Sequence, residues 1–340
     1  MTETVGAFDR VVEGEPDAVS VDDVIAASER ISGFAARTPL LTYASLNEQV
    51  GASVYVKPEN LQRSGSFKFR GAFNRLSQLS DDERSSGVVA WSSGNHAQGI
   101  AAAAQILGIR AAIVMPEDAP LVKAEKTHGY GAEIISYDRY TESREEIGAA
   151  LARERGAVLV PSYDDLHIIS GQGTCGFEIA QQADELGVGL DHLLVCCGGG
   201  GLVAGTSVAM KAMSPDTEIY SVEPDGFDDH KRSFVSGQRE TNSADARSIC
   251  DALLAPTPGA LTFPINRANL AGGLSVSDDE VRAAIRFAFS EMKLVVEPGG
   301  AVTLAALLAG KLDVAGQSVG IVLSGGNVDP SLFSDIIGNG

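Results

Sequence analysis

Short, mostly apolar, strand-like runs recur along the chain at residues 88–90, 110–115, 133–137, 157–160, 193–197, 218–222 and 319–323. Runs with no polar face are the pattern of strands covered on both sides, as in parallel sheets. Between them lie stretches whose apolar positions recur at three and four residues, the rhythm of a helix with one buried face. Phe69, Ala72, Phe73, Leu76 and Leu79 form one such set, and residues 100–107, 142–155, 175–186, 202–213, 279–292 and 301–309 continue it. A further helix is predicted after Ser20, with Val21-Asp22-Asp23 as its first turn and Ile25, Ile31 and Phe34 on its buried face. Strands alternating with helices predict an α/β fold with parallel sheets. The 340 residues suffice for one large domain or two lobes, and no repeat, low-complexity tract or heptad pattern is visible. Residues 1–18 are polar, acidic and aperiodic, and read as a loose leader.

Four segments at the edges of these elements carry candidate chemistry. Ser64-Gly65-Ser66-Phe67-Lys68-Phe69-Arg70-Gly71 seats a lysine where a helix begins. A cation there opposes the helix dipole, and Arg70 adds a second positive charge; both favour the neutral amine that a nucleophilic lysine needs. An ordinary surface lysine is the plain alternative. Trp91-Ser92-Ser93-Gly94-Asn95-His96 ends an apolar run and opens an alanine-rich helix, so hydroxyls, an amide and free N–H groups collect at one turn suited to an anion. A helix cap would explain one such residue, Ser93 or Asn95, but not the whole run. Cys197-Gly198-Gly199-Gly200-Gly201-Leu202 follows another apolar run, and its glycines allow N–H groups to turn inward around a phosphate. Leu323-Ser324-Gly325-Gly326-Asn327 follows the last.

In this order, the four motifs resemble the fold-type-II pyridoxal 5′-phosphate enzymes of the serine/threonine dehydratase family, in the branch of serine racemases and 3-hydroxyaspartate dehydratases. The resemblance runs from about Thr38 to Asn327. It implies a tryptophan-synthase-β-like fold of two lobes, each with a largely parallel sheet flanked by helices. Residues 86–163 would form a small mobile lobe, and 19–85 with 164–340 the large cofactor-binding lobe. Lys68 would hold the cofactor covalently and then act as base at the substrate α-carbon. Gly198, Gly199, Gly200, Gly201 and Leu202 would cradle the phosphate. Asn95 would bond the ring oxygen, Ser324 would face the pyridine nitrogen, and Phe67 would pack on the ring. A serine opposite that nitrogen carries no charge to keep it protonated, which suits β-elimination better than prolonged carbanion chemistry. Ser92, Ser93, Asn95 and His96 would surround the substrate carboxylate. Gly171-Gln172-Gly173-Thr174, Gly259 and Glu297-Pro298-Gly299-Gly300 would line the remaining walls, with Glu297 either a polar partner near the ring or a helix-start carboxylate.

The implied reaction converts a β-hydroxy amino acid (L-serine, L-threonine or 3-hydroxyaspartate) to a 2-oxo acid and ammonia. Ser93 also permits racemisation, because its counterpart in the racemases stands on the ring face opposite the lysine; dehydratases carry it too. Arg144 matches an arginine over the β side of the substrate, where it could pair with a second carboxylate; a surface arginine salted to Glu142 or Glu145 explains it equally. Glu223-Pro224-Asp225-Gly226-Phe227-Asp228-Asp229 matches a divalent-cation site with ligands from Glu223, the Phe227 carbonyl and Asp229. Oxygen ligands favour Mg²⁺, Mn²⁺ or Ca²⁺, and a solvated acidic turn is the alternative.

Composition narrows the partners. The net charge of −19 argues against nucleic acid, which requires clustered cations. No stretch reaches the roughly 18 apolar residues of a membrane helix, and the N-terminus lacks a signal peptide's features. Four cysteines, two adjacent in a core-like run, read as reduced interior thiols. A cytoplasmic enzyme acting on a small amino acid fits, and the family implies a homodimer. Only thirteen residues follow Asn327, so no regulatory domain is expected there, which favours a catabolic role. Gly199-x-Gly201-x-x-Ala204, with Glu223 about 20 residues on, also fits a dinucleotide fingerprint, which would make an NAD-binding oxidoreductase. That reading leaves Lys68 and Ser324 unexplained. A non-catalytic relative would have lost Lys68 or the glycine loop, and both are intact.

Overall fold

The computed structural model describes residues 19–119 and 121–338, so the acidic leader lies outside the described residues. The described strands are β1 (Ser53–Pro58), β2 (Val88–Trp91), β3 (Ala111–Pro116), β4 (Glu133–Tyr137), β5 (Val158–Leu159), β6 (His192–Cys196), β7 (Glu218–Pro224), β8 (Gly272–Val276) and β9 (Ser318–Leu323). They form two sheets, β1-β9-β6-β7-β8 and β4-β3-β2-β5, and every strand pair is parallel. Strands β3, β6 and β9 are almost wholly buried, which explains their unbroken apolar runs.

Two strands, β1 and β8, lie outside the apolar runs. β8 reads Gly-Gly-Leu-Ser-Val and is only partly covered, so it offers little hydrophobic signal. β1 carries Lys57, whose side chain is wholly buried. Its ammonium donates to Glu178 at 2.6 Å and to the Thr38 carbonyl at 2.7 Å. Arg70, also wholly buried, pairs with Glu59 at 2.7 Å and with Glu178 at 2.8 Å. Two cations and two carboxylates thus neutralise one another inside the protein, the condition under which buried charge is tolerated.

The helix Leu166–Glu185 starts nine residues before the expected stretch. Its Gly171-Gln172-Gly173-Thr174 lies mid-helix, buried against its neighbours, rather than along the wall of a cleft. A β-carbon on Gly171 would fall 2.6 Å from the Cα of Gly71, and one on Gly205 would fall 2.1 Å from the Ile169 carbonyl. The glycines are there so that Lys68–Ser77 and Gly201–Met213 can approach this helix at backbone contact. At the N-terminal end, helix Val21–Ile31 begins at a capping box between Ser20 and Asp23. Its buried face is Val24, Ala27 and Ile31; Ile25 and Phe34 are exposed, contrary to the sequence expectation. Phe34 lies past the helix end and stacks on Phe73 with ring centroids 4.4 Å apart.

Candidate active site

The pairing of β1 with β9, Ser53 against Ser318 through Pro58 against Leu323, brings two of the four motifs together. Beyond the strands, Ser66 bridges Gly325 and the Phe67 N–H donates to the Ser324 carbonyl at 3.1 Å. Ser64 and Gly65 both adopt left-handed backbone (φ 60° and 77°), a sharp turn that aims the next residues into helix Lys68–Ser77. A non-glycine residue in that region is uncommon and concentrates at functional sites. Lys68 is the first residue of the helix. Its amine donates to the Ser162 carbonyl at 2.7 Å and lies 5.2 Å from the Phe67 ring centroid.

Burial lowers the Lys68 amine to about 8. The sequence argument credited Arg70 and the helix dipole, and the structure corrects this for Arg70. That guanidinium is spent on Glu59 and Glu178, so desolvation is what favours the neutral amine. On the other side of Lys68, burial also lifts the Cys196 thiol to about 11, opposed by a hydrogen bond with Ser324.

The second motif joins β2 to helix Asn95–Leu107. The helix is capped by Gly94 with no side-chain cap bond, so neither Ser93 nor Asn95 is used for capping. Asn95 donates through Nδ2 to Glu297 Oε1 and accepts at Oδ1 from Asn327 Nδ2 at 2.8 Å. Glu297 is buried, and its carboxyl is raised to about 7, first by burial and then by the charge of Asp251. His96 does not face an anion. Its Nε2 sits 3.1 Å from the Val160 carbonyl and therefore carries the proton, which leaves Nδ1 a buried acceptor without a partner. Burial, and then the Lys68 charge, lower this ring to about 3, so it stays neutral. The His96 side chain is thereby turned toward Val160, which leaves its backbone in the first turn of the helix.

The glycine loop closes β6 into helix Gly201–Met213. The Gly199 carbonyl accepts from Thr262 Oγ1 at 2.6 Å and from the Gly259 N–H at 3.2 Å; the Gly200 carbonyl accepts from Ala204 N–H at 2.9 Å. Gly259 therefore braces the loop. With its carbonyls engaged from behind, the loop leaves the open N–H groups of a helix start for an anion. Gly200 has φ +93°, and a β-carbon there would fall 2.7 Å from both His230 and Asn266. Leu202 is buried in the core, so only its backbone can serve the loop. These residues fit pyridoxal 5′-phosphate: a phosphate cup, a partly buried lysine of lowered pKa, and a hydroxyl, Ser324, at the end of β9 beside them.

Arg144 opens helix Arg144–Arg155 and pairs through Nε with Glu145 at 2.8 Å. It also lines a cavity of about 50 Å³ with Ser92, Ser93, Pro116, Tyr137 and Arg139. The arginine is thus salted to Glu145 and also lies beside the second motif. Arg139 and Tyr137 were not singled out by sequence, because nothing in their local pattern marks them.

Glu223 is wholly buried at the end of β7, and its oxygens accept from the His230 and Lys231 N–H groups at 2.9 and 2.8 Å. Its carboxyl is pushed well up, by burial first and then by Asp229. Asp229 is raised to about 6, mainly by burial, and its Oδ2 is buried without a partner. Among the described residues no group of three or more His, Cys, Asp and Glu side chains could hold a metal ion, so a cation here would depend on backbone oxygen as well.

Residues 31–325 match the family described as "Pyridoxal-phosphate dependent enzyme", and the chain belongs to it. Within that family it is a pyridoxal 5′-phosphate-dependent ammonia-lyase of the serine/threonine dehydratase type. It is 48% identical over 318 residues to the L-threo-3-hydroxyaspartate ammonia-lyase of a Pseudomonas species, covering 94% of this chain and 98% of that one. It is 43% identical over 316 residues to the serine racemase of Schizosaccharomyces pombe, covering 93% and 96%. Among solved structures, the serine racemase of Dictyostelium discoideum superposes with TM-score 0.84 at 39% identity, covering 92% of this chain and 99% of that one. The NAD-binding alternative ends there. No helix among the described residues is long and apolar enough to cross a membrane.

Proposed function

We propose that the enzyme acts by preference on 3-hydroxyaspartate, releasing oxaloacetate and ammonia. The observation that carries this reading is the cavity in which Arg144 meets Ser92 and Ser93. A guanidinium offers a second carboxylate a planar pair of donors, which serine and threonine have no group to use. The relative from Pseudomonas, named for L-threo-3-hydroxyaspartate, supports the same substrate.

The bound cofactor supplies an electron sink for the charge that develops at the α-carbon. Lys68 holds it, and on release its amine removes the α-proton, a task suited to a pKa near 8. The glycine loop from Gly198 to Leu202 would hold the phosphate, and Asn95, fixed at both ends of its amide, would bond the ring oxygen. Ser324 would serve the pyridine nitrogen and Phe67 would pack on the ring. Ser92, Ser93 and the Asn95 region receive the α-carboxylate. A second reading, racemisation as a side activity, draws on Ser93, which lines the cavity and caps no helix.

Glu223, the Phe227 carbonyl and Asp229 would hold Mg²⁺, Mn²⁺ or Ca²⁺, and the unpartnered Asp229 oxygen beside a second buried carboxylate supports this. The remainder of the proposal is a small mobile lobe at residues 86–163, a homodimer, and a cytoplasmic setting. The test is 2-oxo acid release from L-serine, D-serine, L-threonine and the 3-hydroxyaspartate isomers, with chiral analysis of the remaining substrate. Preference for 3-hydroxyaspartate supports the reading. Equal or better turnover of serine and threonine overturns it, and D-serine formed from L-serine moves the enzyme toward the racemases.

A further inference from the structure

The cavity that carries the proposed substrate has two arginines, and only one of them has been given work. We infer that Arg139, with Arg144, forms a two-guanidinium subsite for the distal carboxylate of the substrate, and that Arg139 determines specificity for dicarboxylates. This rests on the reading above that the substrate bears a second carboxylate.

Arg139 follows β4, Arg144 opens the next helix, and both line the cavity. Tyr137, at the end of β4, is buried and fills the space between strand and cavity. Two cations on one small cavity stand out in a chain with 45 acidic and 26 basic residues, where an anionic substrate meets general repulsion. Each arginine is held by one neighbouring carboxylate: Arg139 Nη2 by Asp118 at 2.6 Å, and Arg144 Nε by Glu145 at 2.8 Å. Both pairs are roughly half exposed, so solvent screens them and they constrain the side chains weakly. The contact at Arg144 uses Nε and leaves its two terminal nitrogens; Arg139 keeps the donors of Nε and Nη1. A guanidinium has five N–H donors, so both can retain their acidic neighbours and still bind a carboxylate. The acidic neighbours also oppose capture of an adventitious anion, which favours a ligand anchored elsewhere, as an amino acid held at its α-carboxylate would be.

The experiment compares steady-state kinetics of the holoenzyme, Arg139→Ala, Arg139→Lys and Arg144→Ala on 3-hydroxyaspartate and on L-serine. Arg139→Ala is expected to raise KM for 3-hydroxyaspartate roughly tenfold, the scale of one charge-assisted hydrogen bond, with kcat within about twofold. Both parameters for L-serine should stay unchanged. Arg139→Lys should restore part of the KM, because it keeps the charge and loses the fork. An unchanged KM for 3-hydroxyaspartate, or an equal change for both substrates, overturns the role of Arg139. If Arg144→Ala abolishes the dicarboxylate preference while Arg139→Ala leaves it intact, the substrate reading stands and this inference alone fails. A wild-type enzyme that prefers L-serine overturns both.

Discussion

The amine of Lys68 donates to the carbonyl of Ser162 at 2.7 Å, a bond between residues 94 positions apart that parks the candidate nucleophile against the opposite wall of the cleft. An amine donating to a carbonyl is held as a donor, and burial sets its pKa at about 8. Attack on an aldehyde needs the neutral form. Reconstitution of cofactor-free protein with pyridoxal 5′-phosphate should therefore quicken as pH rises through about 8 and level off above it. Stopped-flow absorbance across pH 6.5 to 9.5 measures this; a rate that is flat through pH 8 contradicts the assignment of Lys68. Lys68→Ala should bind no cofactor covalently and lose activity by at least ~10³-fold.

Arg70 should matter for stability far more than for chemistry. It is wholly buried and satisfies both Glu59 and Glu178. Arg70→Ala strands two carboxylates that Lys57 alone cannot neutralise, and breaking such a buried network costs about 3–5 kcal/mol. Urea unfolding would show the midpoint fall accordingly. A loss under about 1 kcal/mol would mean that the network relaxes or admits water.

At Gly200 the prediction concerns the cofactor's phosphate. With φ +93° and both His230 and Asn266 2.7 Å from the place of a β-carbon, Gly200→Ala forces the loop to move. The strain alone is about 1–3 kcal/mol. Cofactor affinity, followed by equilibrium dialysis, should drop at least tenfold, with a smaller loss for pyridoxal lacking the phosphate. An equal loss for both would place the phosphate elsewhere.

Glu223 and Asp229 predict a pH-dependent response to divalent cations. Asp229 has a folded pKa of about 6 against an ordinary 3.8, so the folded protein retains a proton that the unfolded chain releases. In the absence of metal, this group's contribution to stability is therefore lost as pH rises from about 4 through 6. A cation competes with that proton. The rise in Tm on adding Mg²⁺ or Ca²⁺ should thus be larger at pH 7.5 than at 5.5, and should vanish in Asp229→Asn. A gain independent of pH would argue against these carboxylates as ligands.

The parallel α/β plan was legible because buried parallel strands need continuous apolar runs, as β3, β6 and β9 show. β1 and β8 were hidden for different reasons. Lys57 breaks the apolar pattern of β1, yet is compatible with burial once Glu178 is known to face it from 121 residues away. Gly171 and Gly173 fell outside the predicted helix 175–186 because a helix tolerates them only where another backbone touches it, a fact of tertiary contact. The four motifs were likewise visible in the sequence, since each sits at the edge of an element and has a composition that a cap alone does not explain. The inward turn of His96, the commitment of Arg70 to Glu59, and the company of Arg139 at the cavity were not. Each depends on which residues from distant segments arrive beside it.

β9, the last of the described strands, lies between β1 and β6 rather than at an edge of its sheet. Apart from the Leu41 bridge to Val56, the earliest strand of that sheet therefore has no neighbour until residues 318–323 have been made. Ser66 has no Gly325 to bridge until then, nor the Phe67 N–H a Ser324 carbonyl to bond. A chain stopped short of residue 318 would leave β1 unpaired in its sheet, and the turn that leads into Lys68 would lack its contacts to Ser324 and Gly325. An enzyme whose site is closed by contacts this far apart in the chain should fold slowly and as one unit.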